Sequence, residues 1–104
     1  MDLITLDNLK ENPKVQTYIK AADEQLAVMG YTEHGFRHAG LVAHIAQNVL
    51  LRLGFPERSA QLAAIAGYLH DMGNLVNRHD HATAGALLAM EILREMGMPL
   101  HEIV

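Results

Sequence analysis

Apolar residues recur at steps of three and four along this chain of 104 residues, and this helical period constrains its fold more than any other feature. The clearest series begins after Asn12-Pro13, a capping side chain followed by a proline, and ends at Gly30, which suits a left-handed turn. Sustained alternation of apolar and polar residues, the signature of a half-buried strand, is absent. The pattern therefore predicts an all-α fold, a bundle of about five helices, in a single domain over residues 1–104.

We predict helices over about residues 13–29, 36–53, 56–72, 81–96 and 99–104, with Asp80 as the cap of the fourth. In the second helix the residues of one apolar stripe are predicted to face inward: Leu41, Val42, Ile45, Val49 and Leu53. The third helix is apolar nearly all round, which is typical of a helix that its neighbours bury.

The fifth predicted helix has barely one and a half turns, and so short a helix is not stable alone. We interpret the chain as a fragment truncated at its carboxyl end; an ordinary short terminal helix is the alternative. A truncated bundle would expose the apolar flank around Ile92, Leu93 and Met96. Exposed patches of this kind promote association, so we expect a homo-oligomer.

Composition excludes several classes of function. The chain has no cysteine, which excludes a disulfide scaffold and a thiol nucleophile and fits a reducing, cytoplasmic location. A net charge of −4 offers no basic surface for a nucleic acid, so we predict no nucleic-acid partner. No segment approaches the roughly 18 apolar residues of a membrane span, so we predict no membrane partner. The unusual feature that remains is seven histidines, because histidine is the commonest neutral metal ligand.

The pair His70-Asp71 lies at the end of the most apolar predicted helix, where two ionisable groups are costly unless a charge compensates them. A divalent cation would do so, since imidazole and carboxylate are both good ligands. His38 lies on the predicted inward stripe of another helix, and His81 begins a third, close to the small residue Gly85. Each of these histidines alone is as well explained by packing in the core, whereas together they suggest converging ligands.

The other histidines carry weaker signals. His34 and His79 fall in predicted loops, where they could line a pocket mouth, bind substrate or be solvated. His44 lies about 240° round the helix from His38, at ~100° per residue, so we expect it to point elsewhere. His101 lies in the short last helix. We expect surface positions for His44 and His101.

Three segments in order resemble the HD superfamily of metal-dependent phosphohydrolases. They are RHAGLVAHIA around His38, IAGYLHDMGN around His70-Asp71, and DHATAGALLAMEIL around His81. The resemblance covers about residues 31–104 and implies an HD-like helical domain. Two departures stand out. The family's last ligand, a late aspartate, has no counterpart after Asp80, and Asn74 stands where many members carry lysine.

The resemblance implies a site for one or two divalent metal ions, with Mn, Fe, Mg, Zn and Ni all open. His38, His70 and Asp71 would bind the first ion, and His81 a second ion or a substrate phosphate. Asp71 would also orient the attacking water as the catalytic residue. The implied reaction is hydrolysis of a phosphoester or phosphoanhydride in a small, nucleotide-like substrate.

The predicted substrate-binding residues are Arg37, Arg78 and His34, with solvated surface arginines as the alternative for the first two. The missing late aspartate leaves a second interpretation open. In it the chain is a non-catalytic sensory or interaction module that keeps the HD fold.

Overall fold

Helices make up most of the chain in a computed structural model, which describes residues 3–31, 35–75 and 79–104. No strand occurs in these three ranges, and the predicted all-α fold is confirmed. The elements in chain order are α1 (Leu6–Glu11), α2 (Pro13–Val28), α3 (Phe36–Arg52), α4 (Glu57–Leu69), a 3-10 helix (Met72–Leu75), α5 (His81–Glu95) and α6 (Leu100–Ile103).

Local signals account for most helix ends. The side chain of Asn12 accepts hydrogen bonds from the backbone nitrogens of Lys14 and Val15, at 2.9 and 3.1 Å. Three glycines with φ between 85° and 90° follow α2, α3 and α5, as predicted: Gly30, Gly54 and Gly97. The expectation for Asp80 was wrong in part, because it occupies the N-cap position of α5 without a capping hydrogen bond from its side chain.

The end of the third predicted helix also differs from expectation. Helix α4 ends at Leu69, and the chain continues as the buried 3-10 helix, which packs against α2 and α5. Gly73 makes this packing possible. A Cβ atom at Gly73 would overlap the carbonyl oxygen of His81 and lie 2.5 Å from the backbone nitrogen of Gly85. The 3-10 helix thus rests directly on the backbone of the first turns of α5.

The predicted inward stripe of α3 was wrong for four of its five residues, while Val42 is half-buried and lies against Gly67 of α4. The other side chains are largely exposed, at 56% for Leu41, 51% for Ile45 and 47% for Val49. The buried residues of this helix are alanines, Ala39 and Ala43. The physical reason is that α3 approaches α4 closely, with Val42 and Ala43 against Gly67, which favours small residues between the two backbones.

The apolar flank predicted to be exposed on α5 is instead buried, with Ile92 and Leu93 at 0% and 7% exposure. The exposed flank from which we predicted a homo-oligomer is therefore not present at these residues, and the homo-oligomer stays a prediction. Polar contacts at both ends of the fold join distant elements. Lys14 on α2 forms ion pairs with Glu91 and Glu95 on α5. The hydrogen bond to Glu91 is the main cause that raises the pKa of Lys14 above its usual range.

Helix α6 is held to α4 by a second ion pair. Arg58 donates two hydrogen bonds to the carboxylate of Glu102, at 2.9 and 2.7 Å. An apolar groove of about 530 Å³ remains between α4, α5 and α6, with His70 at its margin. None of the described helices combines the length and the apolar character that crossing a membrane requires.

Candidate metal centre

Three of the predicted ligands meet at one point of the fold. His38 lies in the first turn of α3, His70 follows the last residue of α4, and Asp71 comes next. Each offers a ligand atom, and the three atoms lie within 4.8 Å of one another. The Asp71 Oδ2 atom is 3.3 Å from Nε2 of His38 and 3.1 Å from Nε2 of His70. Among the described residues these three therefore form a group that could bind a metal ion.

The close approach of α3 and α4 brings the two imidazoles together. A Cβ atom at Gly67 would lie 3.2 Å from the carbonyl oxygen of Val42 and 3.3 Å from Cα of Ala43. His70 follows Gly67 by about one helical turn at the end of α4. His38 precedes Val42 and Ala43 by a little more than one turn in α3. The ring centroids of His38 and His70 are 5.3 Å apart as a result.

A backbone carbonyl sets the tautomer of His70. Its Nδ1 atom lies 2.6 Å from the carbonyl oxygen of Gly67, which can only accept a hydrogen bond. The neutral ring therefore carries its proton on Nδ1, and the lone pair of Nε2 faces the carboxylate of Asp71. Two electron pairs that face each other at 3.1 Å repel unless a cation lies between them or the ring takes up a second proton. A histidine that donates its other nitrogen to a carbonyl is typical of metal sites.

The surroundings of the cluster also fit a small cation. The side chain of Asp71 is only 12% exposed, against 30% for His38 and 39% for His70. A cavity of about 10 Å³ lies among these residues, close to the smallest space that holds one water-sized particle. Two imidazole nitrogens and a carboxylate oxygen are ligands that several divalent first-row metals accept. The residues present therefore fit a divalent ion.

Of the remaining predicted site residues, His81 and Arg37 lie in the described part of the chain and are not among the three clustered residues. His81 begins α5 beside Gly73 and lies outside the set of three, and its role with a second ion or a phosphate stays a prediction. Arg37 is exposed next to His38 on α3, and its contact with substrate also stays a prediction. His34 and Arg78 lie outside the described residues. His44 is exposed as expected and contacts Asn48.

Two neighbours of the cluster were missed as site residues. Tyr68 lines the same cavity as His38, His70 and Asp71, and burial raises the pKa of its phenol. Asn74 is buried and donates hydrogen bonds to Asp71. A signal existed for each: Tyr68 and Asn74 lie three residues before and after Asp71, the spacing that places residues on one side of a helical turn.

Comparison with known proteins agrees with this geometry. The family model for the HD domain matches residues 35–104, more than half of the chain. The chain belongs to the HD family. The match begins directly before α3, which carries His38, and includes His70 and Asp71, so all three clustered residues lie within the HD domain. HD domains bind divalent metals, in agreement with the donor set of the cluster.

One curated relative is an uncharacterized protein, MJ1020, of Methanocaldococcus jannaschii. It is 32% identical over 105 aligned positions, which include 86% of this chain. The aligned region is 40% of that relative's length. No solved structure matched the chain.

Proposed function

We propose that this HD domain is the metal-binding part of a phosphohydrolase that cleaves a phosphoester or phosphoanhydride in a small, nucleotide-like substrate. The observation that carries the proposal is the arrangement at His70. Its proton is committed to the carbonyl of Gly67, and its free nitrogen faces the Asp71 carboxylate beside His38. That arrangement favours a bound cation, and membership of a superfamily of metal-dependent phosphohydrolases supports the reaction class.

In the proposed reaction His38, His70 and Asp71 would hold a divalent ion. When bound, such an ion lowers the pKa of water and polarises phosphoryl oxygens. Asp71 is the proposed catalytic residue, since its carboxylate would orient the attacking water. The water oxygen forms a bond to phosphorus, the bond to the leaving oxygen breaks, and that oxygen takes up a proton. Arg37 is proposed to pair with phosphate oxygens, for which a guanidinium is well shaped.

Calorimetric titration of the chain with Mn²⁺ tests the site. We expect one or two ions bound per chain, and we expect Asp71→Ala to weaken the affinity by at least about 100-fold. Loss of a residue that only orients a metal ligand typically lowers the metal affinity by about 10–100-fold, and Asp71 would itself be a ligand. The matched control is His44→Ala, which removes an exposed histidine from α3 and should bind Mn²⁺ like the wild type. Equal affinities in all three proteins would contradict the site.

Hydrolysis is tested separately, with p-nitrophenyl phosphate and a nucleoside monophosphate in the presence of Mn²⁺. Turnover that Asp71→Ala abolishes and His44→Ala retains would support the phosphohydrolase. A chain that binds Mn²⁺ at Asp71 without hydrolysing either compound would contradict an activity of this chain by itself.

The second candidate is a non-catalytic module with the HD fold. One observation favours it, because the group that could hold a metal ion has three members among the described residues, two imidazoles and one carboxylate. In this case Mn²⁺ would stabilise the fold against heat without supporting turnover, so the titration and the assay together distinguish the two candidates.

A further inference from the structure

Asn74 is a polar side chain held almost wholly out of water, with 1% of its surface exposed. A buried amide is costly unless it is hydrogen-bonded. Its Nδ2 atom lies 2.9 Å from the backbone oxygen of Asp71 and 3.3 Å from Oδ1 of the same residue. Both partners are acceptors, so the amide nitrogen must face them and donate.

The two oxygens of the Asp71 carboxylate consequently have different partners. Oδ1 accepts a hydrogen bond from Asn74, while Oδ2 lies 3.3 and 3.1 Å from the Nε2 atoms of His38 and His70. The torsion that rotates a carboxylate is soft, so an unanchored Asp71 could turn either oxygen toward the imidazoles. A donor on Oδ1 removes most of this freedom.

We propose that Asn74 is a positioning residue of the metal site, which anchors Oδ1 of Asp71 so that Oδ2 remains directed at the cation. The inference rests on the proposed metal-binding function. Because the amide is neutral, it anchors the carboxylate without offsetting the negative charge that attracts a divalent ion.

The test compares Mn²⁺ affinities of the wild type, Asn74→Leu and a control, Asn48→Leu. Leucine has the same number of side-chain heavy atoms as asparagine and the same branching, and it cannot donate a hydrogen bond. Asn48 contacts His44 on α3, away from the cluster, so the control repeats the same change of side chain without touching Asp71. We expect Asn74→Leu to weaken Mn²⁺ binding by about tenfold or more, as loss of residues that orient metal ligands does, and Asn48→Leu to leave it unchanged.

If the role of Asn74 were purely structural, its replacement would lower the unfolding temperature of the metal-free protein. The Mn²⁺ affinity of the folded variant would then equal that of the wild type. Both quantities are therefore measured, the affinity at a temperature where circular dichroism shows each variant folded. If Asn74→Leu does not fold, Asn74→Ala replaces it, with Asn48→Ala as its control. Wild-type affinity in the folded Asn74 variant would overturn this inference alone. No Mn²⁺ binding by the wild type would overturn the proposed function and this inference together.

Discussion

The two sides of α4 are built differently. On one side, α3 packs against α4 through alanines and Gly67, and its large apolar side chains point outward. On the other side, α5 contacts the 3-10 helix through Gly73 and Gly85, while the space between α5 and α4 remains an open groove lined by apolar side chains. In both places a glycine lets two backbones approach closely, next to elements that carry His38, His70 and Asp71.

The comparison shows that two glycine contacts, more than the large apolar residues, determine the geometry of the site. Gly67 determines how near α3, with His38, approaches the end of α4. Gly73 determines how the 3-10 helix that follows Asp71 rests on α5. Substitutions at these glycines should therefore affect the site more strongly than losses of polar contacts at the groove.

The largest effect is expected for Gly73→Ala. The added methyl group would overlap the backbone of His81, and a helix backbone cannot move aside as a side chain can. We expect the free energy of unfolding to fall by about 3 kcal/mol or more, the upper range for overpacked interiors. That is a large share of the ~5–15 kcal/mol that stabilises a domain. Urea unfolding followed by circular dichroism measures it.

The control for this substitution is Gly40→Ala on α3, where an added methyl group meets no atom within 4 Å. Alanine is the better helix former, so we expect this variant to be more stable than the wild type by roughly 0.5–1 kcal/mol. If Gly73→Ala were as stable as Gly40→Ala, the 3-10 helix could not lie against the backbone of α5 as closely as described.

Much of the fold could be predicted because helix ends depend on local signals. Asn12-Pro13 and the glycines after α2, α3 and α5 marked their boundaries correctly. The side of α3 that faces the core could not be predicted, because hydrophobicity favours burial of leucine, isoleucine and valine over alanine. Here the close contact at Gly67 favours small residues on the facing side of α3, a constraint that neither segment shows alone.

The site, like the fold, could be predicted only in part. The group of His38, His70 and Asp71 was predicted because residue type and position pointed to metal ligands on two helices. The anchoring of Asp71 by Asn74 was missed, because the sequence indicated a break in the helix where the chain forms a buried 3-10 helix. Once α4 is known to end at Leu69, the spacing of three residues from Asp71 to Asn74 becomes meaningful.

An intermediate effect is expected for Gly67→Ala, a variant that separates the stability of the fold from the geometry of the site. The added methyl group would lie 3.2–3.3 Å from the backbone of α3, so α3 must shift by a few tenths of an ångström. The better helix propensity of alanine, up to about 1 kcal/mol, offsets the crowding, and we expect stability close to that of the wild type. The shift displaces His38 from Asp71, and Mn²⁺ affinity should fall by about tenfold.

Calorimetric titration and urea unfolding of the same Gly67→Ala preparation check this pair of expectations. Gly40→Ala serves again as the control, since it adds a methyl group to α3 without pushing on α4. Loss of stability with unchanged Mn²⁺ affinity would mean that the contact at Gly67 supports the fold and has no part in placing His38.

The smallest effect is expected on the groove side, from Glu102→Gln. The hydrogen bonds from Arg58 lower the pKa of Glu102, so its carboxylate binds protons less readily in the folded chain than in the unfolded one. The stability that the pair contributes is then complete above the ordinary glutamate pKa of about 4.3 and is lost as the pH falls through the lowered value. At neutral pH we expect a slightly lower unfolding temperature for Glu102→Gln.

The difference in unfolding temperature between the wild type and Glu102→Gln isolates this carboxylate, because the other acidic groups are common to both proteins. It should shrink toward zero in acid, as the pH falls through the lowered pKa of Glu102. Mn²⁺ affinity at neutral pH should be unchanged, because Glu102 pairs with Arg58 and takes no part in the contacts at Gly67 and Gly73 that place the ligands. A difference that persisted in strong acid would mean that the Glu102 carboxylate is not its source, and a weakened Mn²⁺ site would mean that the groove side and the metal side are coupled.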